Sequence, residues 1–309
     1  MSDPIDPEVP QDEEPIEPNL SEAEAEEVGN SALRSFLGLF IVPLLVVLLC
    51  VAIFIGFGWI AYDRQSTRDY LGDLESGWKP RRVQAAYELS KILVSDPRAL
   101  DKEPGAKAQV RRLFEEAEDA EMRRYLALVL GRTGDREALP LLTSAANDDE
   151  DDRTRIYALL ALGLLGDPQA REPLAKALTD EDAGIRKTAA FALGEIRDPA
   201  AIPLLQPRLD DAVTDVRWNA ALSLARLGSD SGVPVLETMV DRRLLAQVPD
   251  ITPEQQEQAM MDGIRALAAV DGPGHRELFA RLAKDDPSLK VRQAAMEAEK
   301  AVSSGQQGR

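Results

Sequence analysis

The sequence predicts an all-α protein: an α-solenoid of about seven helix pairs, preceded by one transmembrane helix and a disordered acidic tail. Three observations predict it. An arginine returns every 31 or 32 residues, at Arg123, Arg155, Arg186 and Arg217, with the same residue types around it each time. Residues 36–62 carry no charge at all. Of a formal net charge of -18, the first 35 residues hold eleven acids against the single base Arg34.

The tail, residues 1–35, alternates acids with Pro4, Pro7, Pro10, Pro15 and Pro18. It has too little apolar surface to offset the entropy of ordering the chain, so disorder is expected. The run 36–62, FLGLFIVPLLVVLLCVAIFIGFGWIAY, would rise about 40 Å as a helix, more than the roughly 30 Å hydrocarbon core of a bilayer. Pro43 falls where a kink is tolerated in lipid, and Trp59 and Tyr62 mark the far end with rings suited to the interface. The sequence therefore predicts a single-pass membrane protein that meets the lipid bilayer through residues 36–62.

Flanking bases set the expected orientation. Only Arg34 precedes the run closely, whereas Arg64, Arg68, Lys79, Arg81 and Arg82 follow it. That bias places the C-terminal domain in the cytoplasm, with the N-terminus outside. Arg outnumbers Lys 27 to 9, a composition associated with GC-rich bacterial genomes, so the expected site is a bacterial inner membrane. A periplasmic repeat domain is the alternative.

Residues 63–80 are expected to form a juxtamembrane segment and a first helix, residues 81–302 the repeats, and 303–309 a flexible C-terminus. Within each repeat, apolar residues recur three, four and seven positions after the arginine: Leu126, Ala127 and Leu130, then Ala158, Leu159 and Leu162, then Ala189, Ala190 and Leu193. That spacing is one face of a helix. Asp135, Asp167 and Asp198 end the helix twelve residues after the arginine. Pro140, Pro173, Pro203 and Pro234 then open a second helix, where a missing N–H costs little. The series resumes at Arg292, with Met260 in the arginine's place between, and begins at Arg82.

A unit such as Asp180 to Leu205, reading D-x-x-x-x-I-R-x-x-A-A-x-A-L-G-x-I-x-D-P-x-A-I-P-x-L, resembles the HEAT-like repeat of the phycobilisome-lyase type. The resemblance covers roughly residues 68 to 302. It implies a right-handed solenoid of HEAT-like pairs, and it does not imply lyase activity, since these repeats occur mostly in adaptors. One pair cannot bury its apolar faces alone, so stacking must supply the core.

Gly131, Gly163 and Gly194 sit inside helices at a cost of about 1 kcal/mol each against Ala, which calls for a neighbouring helix approaching closely. Asp149, Asp180, Asp211 and Asp286 each lie six residues before Arg155, Arg186, Arg217 and Arg292. They either cap the helix or meet an arginine of the adjacent unit, and together with Arg123 they form a predicted structural ladder. Two stretches break the period, near 96–106 and 242–253, and read as loops on one face.

Chemistry finds little to work with. One His (His275) and one Cys (Cys50) exclude zinc spacing and disulfides, and there is no phosphate loop or nucleophile elbow. The acidic run 148–152 reads as a solvated turn. No cofactor, metal or catalytic residue is expected, and so negative a chain is a poor fit to nucleic acid. The reading is a membrane-anchored scaffold, not an enzyme, that binds a protein partner. Its alternatives are a bilin-lyase-like or other cofactor-handling protein and a structural subunit of a membrane complex. The residue after each arginine varies freely and includes Ile156 and Trp218; the fifth after it is apolar and includes Phe191 and Leu222. These four are the candidate partner-binding residues, with Trp218 expected to be exposed as an interface anchor.

Overall fold

The computed structural model describes Gly38 and residues 41–61, 66–271 and 273–306 of the 309. It divides into two compact units, residues 1–64 and 65–309. The expected acidic tail 1–35 lies outside the described residues, as do both ends of the expected membrane span.

In the first unit, α1 runs Val42–Ala61 as an uninterrupted helix through an apolar, charge-free sequence. Its side chains from Val42 to Ile55 are exposed, including Leu44, Leu49 and Phe54. Among the described residues no helix is long and apolar enough to cross a membrane, so the expected span 36–62 is not found as such.

The second unit is helical throughout, with no strand among the described residues. A leading helix, α2 (Thr67–Leu74), is followed by six helix pairs. They are α3 (Lys79–Ser95) with α4 (Ala106–Glu116), α5 (Ala120–Arg132) with α6 (Leu139–Asp148), and α7 (Asp152–Leu165) with α8 (Arg171–Ala177). Then come α9 (Ala183–Ile196) with α10 (Ile202–Leu205), and α11 (Thr214–Arg226) with α12 (Val233–Met239). After a short α13 (Arg242–Leu245), α14 (Pro253–Asp271) pairs with α15 (Arg276–Asp285), and α16 (Leu289–Gln306) closes the series alone. The arrangement is a solenoid-like stack, six complete pairs where about seven were expected. The last helix also runs to Gln306, into the stretch read as a C-terminal tail.

Local chemistry explains the boundaries. Asp119, Asp151 and Asp182 cap α5, α7 and α9 by accepting the N–H three residues on. Thr252 and Gln255 exchange side-chain and backbone bonds of 3.2 and 2.9 Å, a complete capping box at the start of α14. Asp135, Asp167 and Asp198 do not merely end the first helix. Each caps a 3-10 turn that leads into the second.

Successive first helices pack directly on one another, from α3 through α11 and on to α14 and α16. Their contact depends on glycine. A Cβ added to Gly131 would lie 2.6 Å from Cα of Ala161, and one on Gly163 would lie 2.8 Å from Cα of Ala192. The eighth residue after one arginine thus meets the sixth after the next. Apolar burial forms two contiguous clusters, one from Leu71 to Leu224 and one from Ala221 to Val302, which divide within α11.

Neither interruption of the period is an empty loop. The first folds a 3-10 turn, Ala99–Lys102, that buries Ala99 and Leu100. The second folds α13 and buries Leu245.

Candidate docking face

The ladder arginines pair between successive units. Arg123 Nη2 lies 2.5 Å from Asp149 Oδ2, and Arg155 Nη2 lies 2.5 Å from Asp180 Oδ2. Arg186 grips Asp211 with both Nε (2.9 Å) and Nη2 (3.0 Å). Each of these three arginines therefore meets the aspartate of the following unit, and Arg186 Nη1 also donates to the carbonyls of Asp180 and Glu181 at 2.9 Å each. The carboxylates also close turns: Asp180 accepts from the Asp182 N–H on the oxygen that Arg155 leaves free, and Asp211 Oδ1 accepts from the Val213 N–H as well as from Arg186. Arg186 and the Val213 N–H hold the Asp211 carboxyl below the usual carboxylate range, against its burial.

Two rungs differ. Arg217 reaches the carbonyls of Asp211 and Ala212 and the hydroxyl of Thr214, and no carboxylate. Arg292 donates to the Asp286 carbonyl at 3.0 Å. The Asp286 carboxylate is taken instead by Arg242, from the second insert, through Nε (2.8 Å) and Nη2 (2.7 Å). Met260 occupies the arginine's place in α14, and Arg242 restores the missing guanidinium from outside the repeat.

Sequence reasoning missed a second lane of pairs: Arg111 with Asp135, Arg136 with Asp167 at 3.2 Å, and Arg171 with Asp198. Its signal was the recurring aspartate twelve residues after the arginine, which has a turn to cap and an oxygen left over.

With the units so registered, α5, α7, α9 and α11 bury the residues one before and three, four, seven and eight after the arginine position. The residues one and five after it stack as an i, i+4 pair on the remaining face. The structure leaves all four candidate binding residues half-buried on that face: Ile156, Phe191, Trp218 and Leu222. Leu128 and Leu160 continue the row, and Tyr87 stands exposed at its start, edge-on to Tyr125 with ring centroids 5.3 Å apart. Charges bridge neighbouring helices across it. Lys187 Nζ is 3.2 Å from Asp215, Arg124 Nη1 is 3.5 Å from Asp151, and the Arg226 guanidinium lies 5.5 Å over the Phe191 ring. The face is an apolar row with salt-bridged margins.

Trp218 is not the free-standing residue its sequence position predicts. The second insert rises beside it, so that Trp218 and Leu222 line a groove of about 420 Å³ together with Val248, Pro249 and Ile251. The indole packs against the C-terminal cluster.

Several ionisable groups outside the row have structural partners. In the run 148–152, Asp149 belongs to the ladder, Asp151 caps α7, and Asp152 meets Arg155 at 3.3 Å. His275 is buried, with Nε2 3.0 Å from Glu237 Oε1 and Nδ1 3.0 Å from the Asp271 carbonyl. Among the described residues no group of His, Cys, Asp and Glu is placed to hold a metal ion. The only cysteine, Cys50, is exposed on α1.

A family model and one solved structure agree with this architecture. The family model for HEAT repeats matches residues 107–190 and 172–245. No curated protein sequence is significantly similar to the chain. Among solved structures, the complex of CpcE and CpcF of phycocyanin lyase from Nostoc sp. PCC7120 is similar with a TM-score of 0.52 at 21% identity, over 77% of this chain and 95% of that one. Human deoxyhypusine hydroxylase in complex with glycerol gives 0.32 at 19% identity, over 77% and 96%. A designed armadillo repeat protein in complex with the peptide (KR)4 gives 0.42 at 18%, over 77% and 100%. Residues 107–245 carry HEAT repeats, set within an all-helical, solenoid-like stack.

Proposed function

We propose that this chain is a membrane-anchored scaffold, not an enzyme, whose HEAT-repeat stack binds a protein partner. One observation carries the reading. The residues one and five after each arginine form a continuous row across successive first helices, apolar at most positions and only half-buried. Stacking alone does not cover that row, and a partner's apolar surface would. The anchor is proposed from the charge-free run 36–62, and the cytoplasmic side of a bacterial inner membrane from the bases that follow it.

The test combines location and capture. In a Cys50→Ser background, a cysteine placed in the repeats resists an impermeant thiol reagent in intact cells, while one near residue 15 reacts. The reverse labelling would overturn the orientation, and release of the full chain by alkaline carbonate would remove the anchor. Affinity purification from native membranes followed by mass spectrometry identifies the partner, and Leu160→Asp on the row abolishes its capture. Capture that survives Leu160→Asp sinks the docking face.

A second reading, a bilin-lyase-like protein, is favoured by the fold likeness to the phycocyanin lyase complex. Bilin absorbance acquired on coexpression would support it. The third, a structural subunit of a membrane complex, predicts that deleting residues 1–62 abolishes capture.

A further inference from the structure

We infer that the groove beside Trp218 docks a cationic protein segment, one with basic residues next to an apolar anchor. The inference rests on the protein-partner reading above and names that partner's chemistry. The repeat period does not supply this groove. The insert 242–253 does, by placing Val248, Pro249 and Ile251 opposite Trp218 and Leu222. Its apolar part is of the kind an anchoring side chain fills, with a tryptophan at the wall.

The rim fixes the sign of the occupant's charge. Asp215, Asp250 and Asp262 line the groove, and no Lys, Arg or His does. Asp215 shares Lys187 at 3.2 Å and Asp262 shares Arg265 at 3.3 Å, but both pairs are open to solvent and neutralise their carboxylates weakly. The Asp250 carboxylate has no hydrogen bond or ion pair among the described contacts. Its backbone is also left-handed (φ 58°), a conformation that costs a non-glycine residue energy and that Asp tolerates better than most. An acidic segment or an anionic lipid surface would meet like charge here. A cationic segment gains Coulomb attraction at the rim while its apolar neighbour displaces water from the indole.

The test uses the purified full chain and three fluorescein-labelled peptides. All carry the same central Leu-Phe pair, flanked by Lys and Arg, by Glu, or by Ser. The cationic peptide should bind at least about tenfold more tightly than the acidic one at low salt, the Ser peptide falling between. That preference should shrink as salt rises from about 50 to about 300 mM. Asp250→Asn and Asp215→Asn should each weaken the cationic peptide several-fold with an unchanged melting temperature, and Trp218→Ala should weaken all three.

Equal binding of the acidic peptide overturns the inference. So does a cationic peptide indifferent to the Asp250 and Trp218 substitutions, which would be held elsewhere by the chain's general negative charge. A dimer in light scattering that Trp218→Ala dissolves would give the groove to a second copy, and binding of anionic vesicles lost in Trp218→Ala would give it to lipid; either result also overturns it. Loss of native-partner capture in Leu160→Asp, with peptides insensitive to the groove variants, leaves the partner reading standing and removes this one. Survival of capture in Leu160→Asp with groove-dependent peptide binding does the converse.

Discussion

Arg186 and Arg217 occupy the same place in successive units, yet their guanidiniums end on different groups, and that difference sets what each contributes. Arg186 holds the Asp211 carboxylate in a two-bond grip, with the Asp211 side chain only 5% exposed. Its removal leaves that buried charge with only the Val213 N–H and Arg208, 3.9 Å away, so Arg186→Ala should cost about 2–3 kcal/mol in urea unfolding. The carboxylate stranded is Asp211, in the next unit, and not Asp180, which Arg155 retains. Arg217 donates to carbonyls and a hydroxyl, and Arg217→Ala should cost about 1 kcal/mol. Equal losses for the two would show that the ladder pairs contribute nothing beyond their backbone bonds. Asp286, held by Arg242, is the most deeply buried aspartate of the ladder, its side chain 2% exposed. A double-mutant cycle on Arg242→Ala and Asp286→Ala should give a coupling of about 2 kcal/mol, and additive effects would mean the insert is not tied to the last unit through this rung.

At the scale of the element, the helices were legible because their signals are local. Burial one before and three, four, seven and eight positions after the arginine follows from the 3.6-residue period, and the prolines mark the second helices as read. Partner choice was not legible, since an aspartate six residues before an arginine has several oxygens and sequence alone does not say which unit's guanidinium arrives. Trp218 was misjudged for a related reason. A position that tolerates Lys and Arg elsewhere is half-covered here, because the insert that covers it lies thirty residues on and breaks the period. Glycine, by contrast, was read correctly as a close approach. Gly131→Ala and Gly163→Ala should therefore destabilise by about 1–3 kcal/mol despite the gain in helix propensity, because the atoms they strike are backbone. Gly72, in α2, has nothing within 4 Å of an added Cβ, so Gly72→Ala should stabilise by roughly 0.5–1 kcal/mol. The opposite signs, read from unfolding midpoints, separate helix packing from propensity.

In the whole molecule, the break between the two apolar clusters within α11 coincides with the end of the regular ladder. Past it the units depend on substitutes: Arg242 for the absent arginine, and His275 as a link between α12 and the turn before α15. Solenoid stability is a sum over units and their interfaces, so the C-terminal section should open at lower free energy than α5 to α9. His275 makes that difference depend on pH. Burial opposes its charge, but the Asp271 carbonyl, the Glu237 carboxylate and the Asp271 charge prevail and hold its pKa above the ordinary value of 6.5. A raised pKa in the folded state means stability that is fully present below the ordinary value and lost as pH rises through the folded one. The ladder carboxylates behave oppositely. Asp211, with its pKa lowered, contributes above the ordinary carboxylate range and loses that contribution only on acidification. Between about pH 6 and about pH 8 the ladder is thus constant while the His275 link weakens. Hydrogen exchange corrected for intrinsic rates should show protection falling across 233–285 over that interval, with little change across 152–196. In His275→Gln the pH dependence of the C-terminal section should vanish. Uniform loss along the chain, or a pH dependence that persists in the variant, would place the sensitive group elsewhere.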